Sequence, residues 1–153
     1  MNLKALHHYL TTLSPSEEKY RNGYVYDGWK DMPRKQCNGV EYTILDLDVA
    51  YSPLDNKPAD HSPGLNAELS EISIKKNSRF STVPEHIHTH IEINYVYSGS
   101  CPQFIDGHPI TLQKNQVLLI DTNCPHSIAP LGENDIMISI IPKTDFLREH
   151  MFN

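Results

Sequence analysis

Between residues 69 and 141, turn residues cut the chain into short strand-forming runs, none long enough to build anything but a small sandwich or barrel. Residues 69–76 alternate, with Ile72 and Ile74 on one face. Residues 91–97 follow a histidine-rich stretch and stop at Ser98-Gly99. Asp106-Gly107 separates Phe104-Ile105 from the run 109–112, and an Asp-Gly pair in that setting is a strong two-residue hairpin signal. Residues 116–120 predict a buried apolar strand, 127–129 a short strand and 135–141 a long one. The expected fold class is all-β.

The first third reads differently. Leu3, Leu6, Leu10 and Leu13 fall at helical spacing and predict a short amphipathic helix over 2–13. Ser14-Pro15-Ser16-Glu17 then supplies an N-cap, a proline at the first helical position and a Glu three residues after the cap, which predicts a second helix over 15–21. Residues 23–39 mix Gly, Pro and charges and show no period; Trp29 among them is taken as a packing residue. Val40, Tyr42 and Ile44, then Leu45, Leu47 and Val49, predict a strand with a slip of phase that a bulge would explain. Residues 51–67 have loop composition, with His61 exposed. Beyond Pro142, Thr144 can cap and Asp145 can open a helix carrying Phe146, Leu147, His150 and Met151. That helix has barely begun at Asn153, so the expectation is a fragment of a longer protein.

A length of 153 residues suits one domain. The net charge of −6 argues against this piece gripping nucleic acid itself, because neutralising phosphates takes a basic surface. Lys75-Lys76 and Arg34-Lys35 are isolated pairs, expected on solvated faces. Cys37, Cys101 and Cys124 have neither the number nor the spacing of a disulfide framework and are expected to be reduced thiols. Lys4, His7 and His8 interrupt any signal-like apolar run, and no segment has the length of a membrane span. The expectation is a soluble, cytoplasmic protein with no membrane partner.

The chemistry concentrates in Pro84-Glu85-His86-Ile87-His88-Thr89-His90-Ile91-Glu92. His86 and His88 are two apart, so on a strand both imidazoles face one side, and Glu92 shares their parity. An unbroken strand would leave residues 86 and 92 roughly 20 Å apart. A single ion needs its donors at about 2.0–2.2 Å, so the chain must bend between His88 and Glu92 if they converge. His126 is the obvious remote donor. Three imidazoles and a carboxylate suit Zn, Fe, Mn, Ni or Cu. The same residues could instead line a pocket for an organic ligand or stand as polar groups on a strand edge. His90 sits at the expected bend and is assigned to the rim or surface; His108, after the hairpin turn, is assigned to the surface.

The run His86-x-His88-x3-Glu92-x6-Gly99 resembles the first motif of the cupins, and Asn115-x5-Asp121-x-Asn123-x2-His126 occupies the place of the second. Phe80, Asn115 and Asn123 stand where that family usually has Gly, Asp121 where it has Pro, and Pro130 where it has Asn. The text around these motifs is similar to the N-terminal sensor domain of AraC-type regulators: Arg79-Phe80, Val83-Pro84, the run from Ile91 to Cys101, the run from Gln116 to Asp121, Pro125-His126-Ser127-Ile128, Asn134-Asp135-Ile136 and Phe146-Leu147. The resemblance covers about residues 69–153.

That resemblance implies a cupin-type double-stranded β-helix, a jelly-roll barrel, with short N-terminal helices. Residues 1–67 would form a helical arm and first strands, 68–142 the barrel core, and 143–153 the start of a helix leading to a DNA-binding part. It further implies a homodimer that senses a small-molecule effector, often a sugar, and meets DNA only through a C-terminal pair of helix-turn-helix units. The ligand site would lie at the barrel mouth, with His86, His88, Glu92 and His126 as ligand-binding or metal-binding residues and Tyr95, Tyr97, Phe104 and Ile120 as candidate walls. No catalytic residue is expected under that reading. Retention of all four donor positions supports an alternative, a small metal-dependent cupin enzyme of isomerase or dioxygenase type. A third possibility is a cupin-shaped binding or structural protein with neither role.

Overall fold

The computed structural model describes residues 2–45, 67–68 and 72–151. The expected strand residues Leu47 and Val49, the loop residues 51–66 with His61, and Leu69 lie outside the described residues.

Eleven strands among the described residues form two sheets. One has the order β1-β2-β5-β10-β7-β8, built from Arg34–Cys37, Val40–Leu45, Val83–His88, His126–Ile128, Ser100–Ile105 and His108–Gln113. The other has the order β3-β4-β11-β6-β9, built from Ala67–Glu68, Ile72–Lys76, Ile136–Pro142, Glu92–Ser98 and Val117–Ile120. From β4 to β11 the chain passes back and forth between the sheets, staying in one sheet only at the β7–β8 hairpin. All pairings are antiparallel except β2 with β5. This two-sheet, all-β architecture with short flanking helices is the one that the resemblance to the cupins implies.

Local chemistry explains the turns. Asp106 and Gly107 both take positive φ (48° and 76°), the backbone of a two-residue I′ hairpin, and Ile105 pairs His108 across it. Asn38 and Gly39 do the same (51° and 82°) and join β1 to β2 inside the segment that shows no sequence period. An Asn-Gly pair is itself a hairpin signal, so that strand pair was open to prediction. Phe80, Asn115 and Asn123, which stand where the resembled family usually has Gly, all take left-handed backbone, with φ of 66°, 68° and 57°.

The two N-terminal helices, α1 (Leu3–Thr11) and α2 (Pro15–Arg21), form where predicted. The Ser14 hydroxyl accepts from Glu17 N at 3.2 Å, and Ser14 N donates to Glu17 Oε2 at 2.8 Å, closing the capping box. The Glu17 carboxylate does more than cap. It is buried and takes bonds from Arg79 Nε (3.0 Å) and Lys76 Nζ (3.0 Å), while Arg79 also donates to the carbonyls of Thr11 and Thr12 at the end of α1. Lys76 is therefore not on a solvated face, as its sequence suggests; burial against α2 gives it a carboxylate partner. With Leu10 buried and His7 Nδ1 2.8 Å from Tyr97 Oη, both helices are fastened to the barrel. A third helix, α3 (Thr144–Met151), follows β11. No described helix is long and apolar enough to cross a membrane.

Strand alternation sorts the barrel interior into layers. Val96, Cys101, Ile128 and Met137 make an apolar plug with Leu131. Two residues along their strands stand Asn94, Gln103, His126 and Ser139, all buried. The strand 117–120 alternates and is not wholly buried as expected: Val117 and Leu119 are 59% and 61% exposed on the outer face, and Ile120 points inward. The three cysteines are free, as their spacing predicts.

Candidate metal centre

β5 ends at His88 and β6 begins at Glu92 in the opposite sheet, so the required bend falls at residues 89–91. The bend turns the Glu92 carboxylate back toward the two imidazoles. His126 opens β10, and its Cα pairs directly with that of His86. The ring centroids of His86 and His126 lie 4.2 Å apart, and those of His88 and His126 4.8 Å. The ligating nitrogens of His86, His88 and His126 all lie within 4.8 Å of one another.

Each imidazole is held by its far nitrogen. The Nδ1 atoms of His86, His88 and His126 lie 2.9, 2.6 and 2.9 Å from the carbonyl oxygens of Pro84, His90 and Cys124. A carbonyl only accepts, so Nδ1 donates and the Nε2 lone pairs are left for the interior. This is the outer-shell arrangement that fixes metal-binding histidines. His126 Nε2 is buried and has no hydrogen-bond partner. Such orphaned acceptors are rare in folded proteins and mark a place for a cation or a ligand proton.

The charge state of the group fits. Burial, reinforced by the neighbouring His126 and His88, lowers the His86 pKa to about 3 and keeps its ring neutral. Burial alone would raise the Glu92 pKa; the neighbouring His126, His88 and Ser139 outweigh it and hold the carboxyl well below the usual range. Glu92 Oε2 is 2.9 Å from His88 Nε2 and 3.5 Å from His126 Nε2. The longer contact is beyond good hydrogen-bonding distance and leaves His126 Nε2 without a partner. With Nδ1 of His88 already donating, the short contact between Nε2 and a carboxylate oxygen requires a shared cation, a proton or a metal ion.

The histidines and Glu92 are thus brought together, and the expected aromatic walls are not. Tyr95 and Tyr97 have odd parity on β6 and point away from Glu92 and Asn94, Tyr97 toward α1. Phe104, 47% exposed, faces outward beside the inward Gln103. Period-two alternation corrects these three assignments. Ile120 faces Glu92 across the β6–β9 pair and belongs to the interior. His90 is buried and not on the surface, its carbonyl anchoring His88. His108 is exposed as expected. Trp29 was missed as a site residue: it rises from a 3-10 turn (Gly28–Asp31) to lie 5.6 Å from the His86 ring. No sequence period marks that turn.

A family model for the AraC-like ligand binding domain matches residues 70–141, a little under half of the chain. No curated protein matches. Among solved structures, a conserved protein from Streptococcus pyogenes is 16% identical over 48% of this chain and 65% of its own (TM-score 0.42). KdgF from Halomonas is 20% identical over 49% of this chain and 72% of its own (TM-score 0.42). A cupin protein from Bacteroides fragilis is 28% identical over 48% and 64% (TM-score 0.40). The chain thus spans about two thirds of the length of these chains.

Proposed function

We propose that this chain is the effector-sensing and dimerisation domain of an AraC-type transcription regulator, with a small molecule bound inside the barrel at the three-histidine centre. The observation that carries the reading is the coincidence of the AraC-like ligand-binding match with the segment that supplies His86, His88, Glu92 and His126. Under this reading residues 1–67 are an arm with the first strands, 68–142 the sensing barrel, and 143–153 the lead into helix-turn-helix units that would contact DNA. Its place of work is the cytoplasm, and it acts as a homodimer. An effector must bind two arrangements of the molecule unequally, since no signal passes without differential affinity.

His86, His88, His126 and Glu92 would hold one divalent transition metal, which would supply a Lewis-acidic anchor for an oxygen of the ligand. Elemental analysis of the purified protein beside His86→Ala and His126→Ala variants tests this; unchanged metal in both variants removes the metal centre. The effector is sought by thermal melting against a wide panel of sugars and small metabolites. A true effector at a hundredfold over its dissociation constant contributes roughly 2.7 kcal/mol and raises Tm by about 5 °C or more. A panel with no hit that depends on His126 sinks the sensing role.

The unpartnered Nε2 of His126 also supports a second reading, a small metal-dependent cupin enzyme of isomerase or dioxygenase type. Turnover abolished by chelation and restored by one metal would favour it; binding without turnover favours the sensor.

A further inference from the structure

Lys75 is exposed, as its sequence neighbourhood suggests, yet its register with Ser139 sets it on the face of β4 that lines the barrel. In the register of the second sheet Ser139 pairs with both Lys75 and Asn94, so the three side chains stand in one row on the face that also carries Glu92. Ser139 and Asn94 are buried, and Ser139 Oγ donates to Asn94 Oδ1 at 2.8 Å while accepting from Asn77 Nδ2 at 2.7 Å. Lys75 lies on β4, beside the short edge strand, where water reaches it. Desolvation at the strand lowers its pKa, against the opposing pull of the Glu92 charge. Among the described residues it makes no ion pair.

The same row contains a second unused donor. Asn94 Nδ2 is buried with no hydrogen-bond partner. Strands about 4.8 Å apart put the Lys75 and Asn94 backbones roughly 10 Å from each other, within reach of one small molecule and of a lysine's four-carbon stem. Across the barrel Gln103 Oε1 is a buried acceptor, also without a partner. A cation on the same strand face as a buried amide N–H, with a lone acceptor across the barrel, complements an anionic oxygen on a molecule that also carries a hydroxyl.

We infer that Lys75, with Asn94, is the carboxylate-binding end of the barrel's ligand site, so that the effector is a small organic acid, its carboxylate held by the Lys75 ammonium and the Asn94 amide. The inference rests on the small-molecule reading above and narrows its ligand class. A lysine serving only to balance the Glu92 charge would show no preference among ligands.

Calorimetric titration of the metal-loaded wild type, K75M and K75R with D-glucuronate and with succinate, each beside its neutral counterpart D-glucose or succinamide, tests it. The expected result is binding of at least one carboxylate in preference to its counterpart, weakened roughly ten- to a hundredfold in K75M and largely kept in K75R. Melting curves establish that K75M is folded, which a water-accessible position favours. Equal carboxylate affinity in wild type and K75M overturns the inference, as does a K75M that loses metal affinity with no change in carboxylate preference. If neither carboxylate binds, the anionic ligand class falls, while the effector reading stands or falls on the wider panel.

Discussion

A methyl group added at Gly99 would run into the Asp135 carboxylate, and the backbone there is left-handed, with φ of 70°. That carboxylate cannot move aside freely: Oδ1 accepts from Ser100 N and Oδ2 from Gly132 N, each at 2.8 Å. Both demands arise because one residue turns β6 into β7. Gly99→Ala is expected to cost about 2–3 kcal/mol, the left-handed penalty plus the displaced bonds, and to lower Tm by roughly 5–10 °C. A melting temperature within a degree or so of wild type would mean the turn relaxes at no cost. At Asn123 the demand is milder. Its φ of 57° suits Asn, its N donates to His88 O at 2.8 Å, and its side chain meets Lys35 Nζ at 3.0 Å. Asn123→Gly should fold with stability within about 1 kcal/mol of wild type, whereas a β-branched Asn123→Val should lose about 2 kcal/mol and loosen the backbone under His88. Denaturant midpoints for the pair check this, and equal midpoints would remove the backbone argument.

Among the elements, α2 depends most on a single charge. Burial raises the Glu17 pKa, but bonds from Arg79, Ser14 and Lys76 outweigh it and set it at about 2 against 4.5 for a free glutamate. A carboxyl whose folded pKa is depressed contributes stability that is present above the unfolded pKa and disappears as pH falls through the folded one. The window here runs from about pH 4.5 down to about pH 2, and the stability at stake is roughly 3 kcal/mol. Glu17→Gln should flatten that part of the pH–stability profile. It should also cost about 3 kcal/mol or more at neutral pH, since Arg79 is left buried beside a neutral amide. An acid limb identical in wild type and variant would put the linkage elsewhere. The same element shows what a sequence displays and what it hides. The capping box at Ser14 and Glu17 is local and legible in four residues. The bonds to Arg79 and Lys76 span 62 and 59 positions and have no local signature. The site divides likewise: the parity of His86, His88 and Glu92 and the need for a bend are in the spacing, and the family resemblance points to His126. The outward turn of Tyr95, Tyr97 and Phe104 could be had from alternation once Glu92 and Gln103 were known to face inward. The place of Lys75 on the barrel-lining face needs the cross-strand register with Ser139, which no single strand reveals.

At the scale of the whole molecule, the candidate centre draws its donors from both sheets, His86, His88 and His126 from one and Glu92 from the other. An ion held there would tie the sheets across the barrel, so its binding free energy would add to the stability of the entire fold and not of one loop. The helical arm is tied to the barrel by a separate set of charges, Glu17 with Arg79 and Lys76, which shares no residue with the centre. Two independent ties predict additive effects. Adding Zn²⁺ at a hundredfold over its dissociation constant should raise the Tm of wild type by about 5 °C or more, reversibly with a chelator. His126→Ala should lose most of that increment. Glu17→Gln should start from a lower Tm and still gain the full increment, because the centre it leaves intact does the binding. If Glu17→Gln abolished the metal response while His126→Ala kept it, the ion would be bound by the arm, and the histidine group would be left with hydrogen bonding to a ligand as its role.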